Sequence, residues 1–451
     1  MLTKYFHSVI ILADITKETN MKQPKRYNFK TKPVKPNKFI MWWVKSILSD
    51  PILRRRNFKC EKTGMENIKP PYLLLATHAS NMDFRILFGS IKPYNMNFVV
   101  TIEAMHDYTK TLMRLAGGIF KRRFTRNYEL ISHMRYCVNN HDNPLVMYPE
   151  AYFSPDGTTN SLSPAVGKIC KLLKVPVAVL ISCGSFIARP YWNKSKFNFH
   201  RVPLKGKLIC VADAEEVRRL SAEELNERIA KVFVHDDLKY QYDNKIKINY
   251  RKRADGLHNI LYKCCDCGTE GEMYSSGITL ECRSCGKKWN MTEYGRLEAL
   301  SGETKFAHIP DWCKWERECV KREIEEGTYC IEDDVEVHTL PNNKFYKQGF
   351  GKFRQDVTGT YLTCTAYGEP YSLHLAPTEL ESLHIEFSYH DLMRRKRFGD
   401  SMVISTDKDS FWLHSGTKRC VILKIMYATE EMNRRAKGEL KNNSGKTETD
   451  G

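Results

Sequence analysis

Tyr72-Leu73-Leu74-Leu75-Ala76-Thr77-His78-Ala79-Ser80-Asn81-Met82-Asp83 joins a short apolar run to a polar turn and a helix start. Tyr72–Ala76 reads as a strand buried on both faces. Ser80 and Asn81 are good N-cap residues, which places Asp83 in the first turn of a helix over Met82–Phe88. The turn folds the chain back, so the Asp83 carboxylate can reach the His78 imidazole. A carboxylate at one ring nitrogen fixes the tautomer and leaves the other nitrogen as a general base. The spacing alone does not separate such a pair from a capping Asp beside a satisfied His.

Working outward, Asn97–Ile102, Leu145–Tyr148 and Val175–Ser182 repeat the buried-strand signature. Helical stretches separate them: Asp107–Leu115, Asn127–Asn139 and Pro164–Leu173. Alternating strand and helix predicts an α/β domain with a mainly parallel sheet flanked by helices. Ligands of such sheets bind at the carboxyl ends of the strands. Pro149-Glu150 follows one strand there. Gly117-Gly118-Ile119-Phe120-Lys121-Arg122-Arg123 sets a flexible glycine pair before a basic triplet suited to phosphate oxygens.

In order and spacing these segments resemble the glycerolipid O-acyltransferase family, typified by 1-acyl-glycerol-3-phosphate acyltransferases. The His-x4-Asp block corresponds to His78 and Asp83, with the frequent Ser at Ser80. The Gly-x-Ile-Phe-x-x-Arg block corresponds to Gly117, Ile119, Phe120 and Arg123. The Phe-Pro-Glu-Gly-Thr-Arg block is kept at Pro149 and Glu150, and the Val-Pro strand at Pro176.

The resemblance covers residues 40–215 and implies direct transfer of an acyl chain from acyl-CoA or acyl-carrier protein to a lysophospholipid hydroxyl, 1-acylglycerol-3-phosphate first among them. His78 would be the base and Asp83 its orienting group, with no covalent acyl-enzyme. Arg123, with Lys121 or Arg122, would hold an anionic headgroup. Ser80, Gly117, Gly118, Pro149 and Glu150 complete the expected substrate site. After Glu150 the chain reads Ala151-Tyr152-Phe153, so the family's Gly, Thr and Arg are missing. That departure leaves the acceptor headgroup open.

Cys264-x2-Cys267 and Cys282-x2-Cys285 are separated by 14 residues, and each pair is followed by Gly. Four thiolates at this spacing suit a structural zinc ribbon. Cys265 could stand in for Cys264 with poorer spacing. The total of 15 cysteines, an odd number in a large chain, otherwise suits free thiols in a reducing compartment.

The 451 residues carry a formal net charge of +18, which favours anionic partners. Residues 1–38 read as a basic flexible arm, with Met21 as an alternative start. Phe39–Val44 with its Trp42-Trp43 pair, followed by Arg54–Arg56, suits either an interfacial helix on a phospholipid surface or an ordinary core helix. No apolar run is long enough for a membrane span, so the expected location is cytoplasmic, peripheral on the inner face of a membrane.

The expected organisation is an acyltransferase domain with its interfacial segment over 39–235, a zinc ribbon over 260–292, a β-rich C-terminal module over 330–438 and a disordered tail over 439–451. A rival reading is a non-catalytic lipid-surface or nucleic-acid-binding scaffold using the basic surface and the ribbon. Against nucleic acid, the basic residues gather near the Trp pair rather than around the ribbon.

Overall fold

The computed structural model describes residues 24–447, apart from 93, 105–106, 126–127, 161, 194–200, 343, 388–389, 392–395, 398 and 417–420. Met21 and most of the expected basic arm, together with Arg394, Arg395 and 448–451 of the expected tail, lie outside the described residues.

Seven strands form the first sheet: β1 (Lys59–Thr63), β2 (Leu73–Ala76), β3 (Asn97–Thr101), β4 (Gly118–Lys121), β5 (Leu145–Met147), β6 (Val177–Cys183) and β7 (Lys205–Ala212). Their order is β1-β7-β6-β2-β5-β3-β4, and every neighbouring pair is parallel except β6 with β7. Alternate residues enter two cores, as the two-residue period of a strand requires. Leu74, Val146, Ala178 and Leu180 face one; Leu73, Leu75, Met147 and Val179 face the other. Burial on both faces explains the continuous apolar runs. β2 lies in the middle, so His78 leaves the sheet at its carboxyl edge between β5 and β6.

Residues 24–37 are packed, contrary to the flexible arm expected there. The Tyr27 amide donates to Pro341 O at 2.9 Å, Asn37 N to Leu115 O at 2.8 Å, and Asn97 Nδ2 to Val34 O at 3.1 Å. Next come the helix Lys38–Trp43, wider π-type turns over Val44–Ser49, and the helix Asp50–Arg55. Met41, Val44 and Leu53 are buried, whereas Phe39 is 70% and Trp42 50% exposed. Among the described residues no helix is long and apolar enough to cross a membrane.

Ser221 and Glu224 form the capping box of the helix Ala222–Val232. The cysteine region is a small antiparallel sheet built on the hairpin Met273–Ser276 and Thr279–Cys282. It rests on the helix Ile309–Glu325, where the Trp289 and Trp312 rings meet at 5.1 Å. The C-terminal sheet has seven antiparallel strands, the longest being Cys330–Thr339 and Tyr346–Asp356. Val421–Met426 has the composition of a β-type run within the expected β-rich module but instead opens the helix Ile422–Thr447. That helix runs on into the segment expected as a tail. The five apolar residues around Lys424 fit a buried helix face as well as a strand.

Candidate active site and metal centre

Three loops leaving β2, β5 and β6 meet at the carboxyl edge of the first sheet. His78 Nδ1 lies 3.5 Å from Asp83 Oδ2. Asp83 opens the helix Asp83–Ser90 and is itself buried. Its Oδ2 accepts from the amides of Ala79 at 2.7 Å and Ser80 at 2.9 Å, and its Oδ1 accepts from the Ser185 hydroxyl. The carboxylate therefore organises the whole turn as well as facing the imidazole. The His78 ring packs against Tyr148 at 4.3 Å and Phe153 at 4.2 Å between centroids. About a quarter of the side chain stays accessible, at 24%.

Glu150 is buried beside this pair. Its Oε1 accepts the His78 amide at 2.7 Å; its Oε2 accepts Asn160 N at 2.8 Å and Nδ2 at 3.0 Å. Burial pushes its carboxyl up from 4.5 to about 8, against the pull of those donors. Ser80 is likewise occupied within the protein. Its hydroxyl pairs with Ser185 O and Oγ, both at 2.9 Å, and accepts the Met82 amide at 3.1 Å.

The second block divides. Gly117 and Gly118 lie at the amino end of β4, the end of the sheet opposite His78. Gly117 has φ +94°, and a Cβ there would come within 2.7 Å of Pro36 Cγ. A Cβ on Gly118 would come within 2.9 Å of Met113 O. Both glycines thus answer to close backbone packing rather than to a ligand at the His78 edge. Arg122, expected to touch a headgroup, is buried and donates to Leu340 O (2.8 Å), Pro341 O (2.8 Å) and Ser410 Oγ (2.9 Å). Its guanidinium anchors the C-terminal sheet.

Arg123 differs. Among the described residues only Nε has a protein acceptor, Thr101 Oγ1 at 3.3 Å, and the buried Nη1 has none. Burial lowers its pKa, as it does that of Lys121. Glu103 partly offsets that burial at both Lys121, the last residue of β4, and Arg123 just after it; the unpartnered Arg123 Nη1 is the donor left for an anion.

His141, for which the sequence shows no partner, pairs through Nδ1 with Asn97 Oδ1 at 2.9 Å. Sequence reasoning missed Ser185 and Asn160. Ser185 lies 102 residues from the Asp83 it supports, and Asn160 lies 10 residues from Glu150 across an irregular loop, so no regular spacing marks either.

At the ribbon, the sulfurs of Cys264, Cys267, Cys282 and Cys285 all lie within 4.8 Å of one another. Cys264 and Cys285 are 3.8 Å apart, and Cys267 and Cys282 3.7 Å. A tetrahedron with metal–sulfur bonds of about 2.3 Å has edges of about 3.8 Å. Both knuckles share one geometry: Gly268 (φ +76°) donates to Cys264 O, and Gly286 (φ +77°) to Cys282 O. The four thiolates could hold a metal ion; Cys265 is outside the group.

A family model described as Acyltransferase matches residues 59–183. That stretch runs from β1 to the end of β6 and contains His78, Asp83, Arg123 and Glu150. Residues 59–183 are thus similar to an acyltransferase domain, and the cysteine region and the C-terminal sheet follow it in the chain. Among solved structures it is similar to the 1-acyl-sn-glycerophosphate acyltransferase PlsC from Thermotoga maritima. The identity is 20% and the TM-score 0.32, over 43% of this chain and 80% of that chain. A comparison with curated proteins gives no match.

Proposed function

We propose that this chain moves an acyl group from acyl-CoA or acyl-carrier protein to a lysophospholipid hydroxyl at the surface of a membrane. The observation that carries the reading is the His78–Asp83 pair at the carboxyl edge, inside the segment that matches the acyltransferase family. The accessible imidazole takes the proton of the acceptor hydroxyl as that oxygen bonds to the thioester carbon. The carbon–sulfur bond then breaks, and the leaving thiolate recovers the proton from the imidazolium. Asp83, 3.5 Å from Nδ1, faces the transient cation and stabilises it.

Arg123 and Lys121 supply the positive charge for an anionic headgroup, 1-acylglycerol-3-phosphate being the first candidate. Phe39 and Trp42 dock on the cytoplasmic face, helped by the basic surface. The four cysteines hold zinc, whose closed thiolate set makes it structural.

A panel of lysophospholipids with labelled donors tests the acceptor. Arg123→Gln is expected to raise KM at least about tenfold for acceptors with a phosphate monoester, since a charge-assisted hydrogen bond is lost. An unchanged KM would remove Arg123 from the headgroup site.

A further inference from the structure

The C-terminal module is seated on the carboxyl edge of the first sheet through two of the family blocks. Arg122 of the second block reaches Leu340, Pro341 and Ser410. Glu103, just after β3, accepts from Ser410 Oγ at 2.8 Å and Ser405 Oγ at 3.3 Å. Ile102 and Phe120 share an apolar cluster with Leu340, Phe345, Val403 and Trp412.

The third block makes the other seat. Buried Tyr152 donates from its hydroxyl to Glu430 Oε1 at 2.7 Å, on the helix Ile422–Thr447. That oxygen also accepts Ser382 Oγ at 2.8 Å, and Arg317 Nη1 donates to Glu430 Oε2 at 2.7 Å. Phe153, the next residue, packs on His78 at 4.2 Å and near Tyr191 at 5.9 Å. Tyr191 in turn donates to Ile385 O and packs on Phe387 at 5.6 Å. Contacts therefore run without a gap from the module's helix and strand to the imidazole. They pass through the positions where the resembling family carries Thr and Arg.

We propose that the C-terminal module is a wall of the active site, and that Tyr152 and Phe153 are positioning residues through which its seating sets the orientation of His78. The tripeptide after Glu150 has exchanged a headgroup contact for a docking contact. This rests on the reading of His78 as the base, but its test does not require turnover.

The experiment follows the His78 ring resonances by NMR in the full-length, metal-loaded chain with labelled histidine, assigned with His78→Gln. Tyr152→Phe removes one hydroxyl and keeps the ring. It is expected to displace the His78 resonances, because the Phe153 ring current moves with the module's seat. Phe153→Leu is expected to displace them further. Tyr361→Phe, a change in the module beside His374, should leave them in place. Should Tyr152→Phe not fold, Ser382→Ala removes another donor to the same Glu430 oxygen and carries the same expectation. His78 resonances unmoved by the folded variants, or moved equally by Tyr361→Phe, would overturn the proposal. Absence of acyl transfer by the wild type would instead count against the enzyme reading and leave this result standing.

Discussion

The His78 amide donates to Glu150 Oε1 at 2.7 Å, so the main chain at His78 and the acidic side chain of the third block are tied together. β2 and β5 are neighbours, and the bond locks their carboxyl ends together. With Asn160 on its other oxygen, Glu150 also pins the loop that follows. In this chain the acidic residue of that block holds the shape of the His78 loop.

A pH dependence follows from that burial. The Glu150 carboxyl moves from 4.5 to about 8 on folding, with desolvation as the main cause. A raised acid binds its proton more tightly in the folded state. Its contribution is full below about pH 4.5 and is lost as pH rises to about 8. Stability relative to Glu150→Gln, which cannot titrate, is expected to fall across that window by up to about 1 kcal/mol per pH unit. Denaturant titrations at several pH values measure it; a flat or rising difference would contradict it.

Ala151 sits at φ +63°, in the left-handed region, where the resembling family has Gly. An L residue with a Cβ is strained there by about 1 kcal/mol. Ala151→Gly is expected to stabilise the fold by about 0.5–1 kcal/mol. Chemical denaturation reads the change, and a destabilised variant would mean that the Ala151 methyl packs usefully.

One zinc per chain is expected by elemental analysis. Replacing Cys282 and Cys285 by Ser should remove it and lower the melting temperature. The Cys264–Cys285 and Cys267–Cys282 separations already match a closed tetrahedron. Full metal retention by the double variant would reject the site.

Phe39 and Trp42 pack on each other at 5.9 Å and are exposed, whereas Met41 on the same helix is buried. Phe39→Ser with Trp42→Ser is expected to weaken binding to anionic vesicles at least about tenfold without a change in melting temperature. Equal binding would reject docking through this helix. Trp43 is half-buried against the core, so changing it would test packing instead.

Much of the site was legible because its signals are local. β2, β5 and β6 are buried on both faces and read as apolar runs, and the cysteine knuckles repeat a short spacing. β1, Lys-Cys-Glu-Lys-Thr, is an exposed edge strand with no apolar pattern to find. β4 was hidden by its glycines, which suggest a ligand loop until Pro36 and Met113 are seen against them. The basic triplet could not say which residue faces a ligand. Arg122 is assigned by carbonyls more than 200 positions away. The seat of the C-terminal module depends on such long-range pairs throughout, so nothing near Tyr152 announces Glu430.

Transfer of labelled acyl chains by the wild type and by His78→Ala, at matched fold and metal content, tests the central claim most directly. Label entering a lysophospholipid with the wild type, and a loss of at least about a hundredfold in the variant, is the expected result. Near-normal turnover by folded His78→Ala would contradict the assignment of His78 as the base.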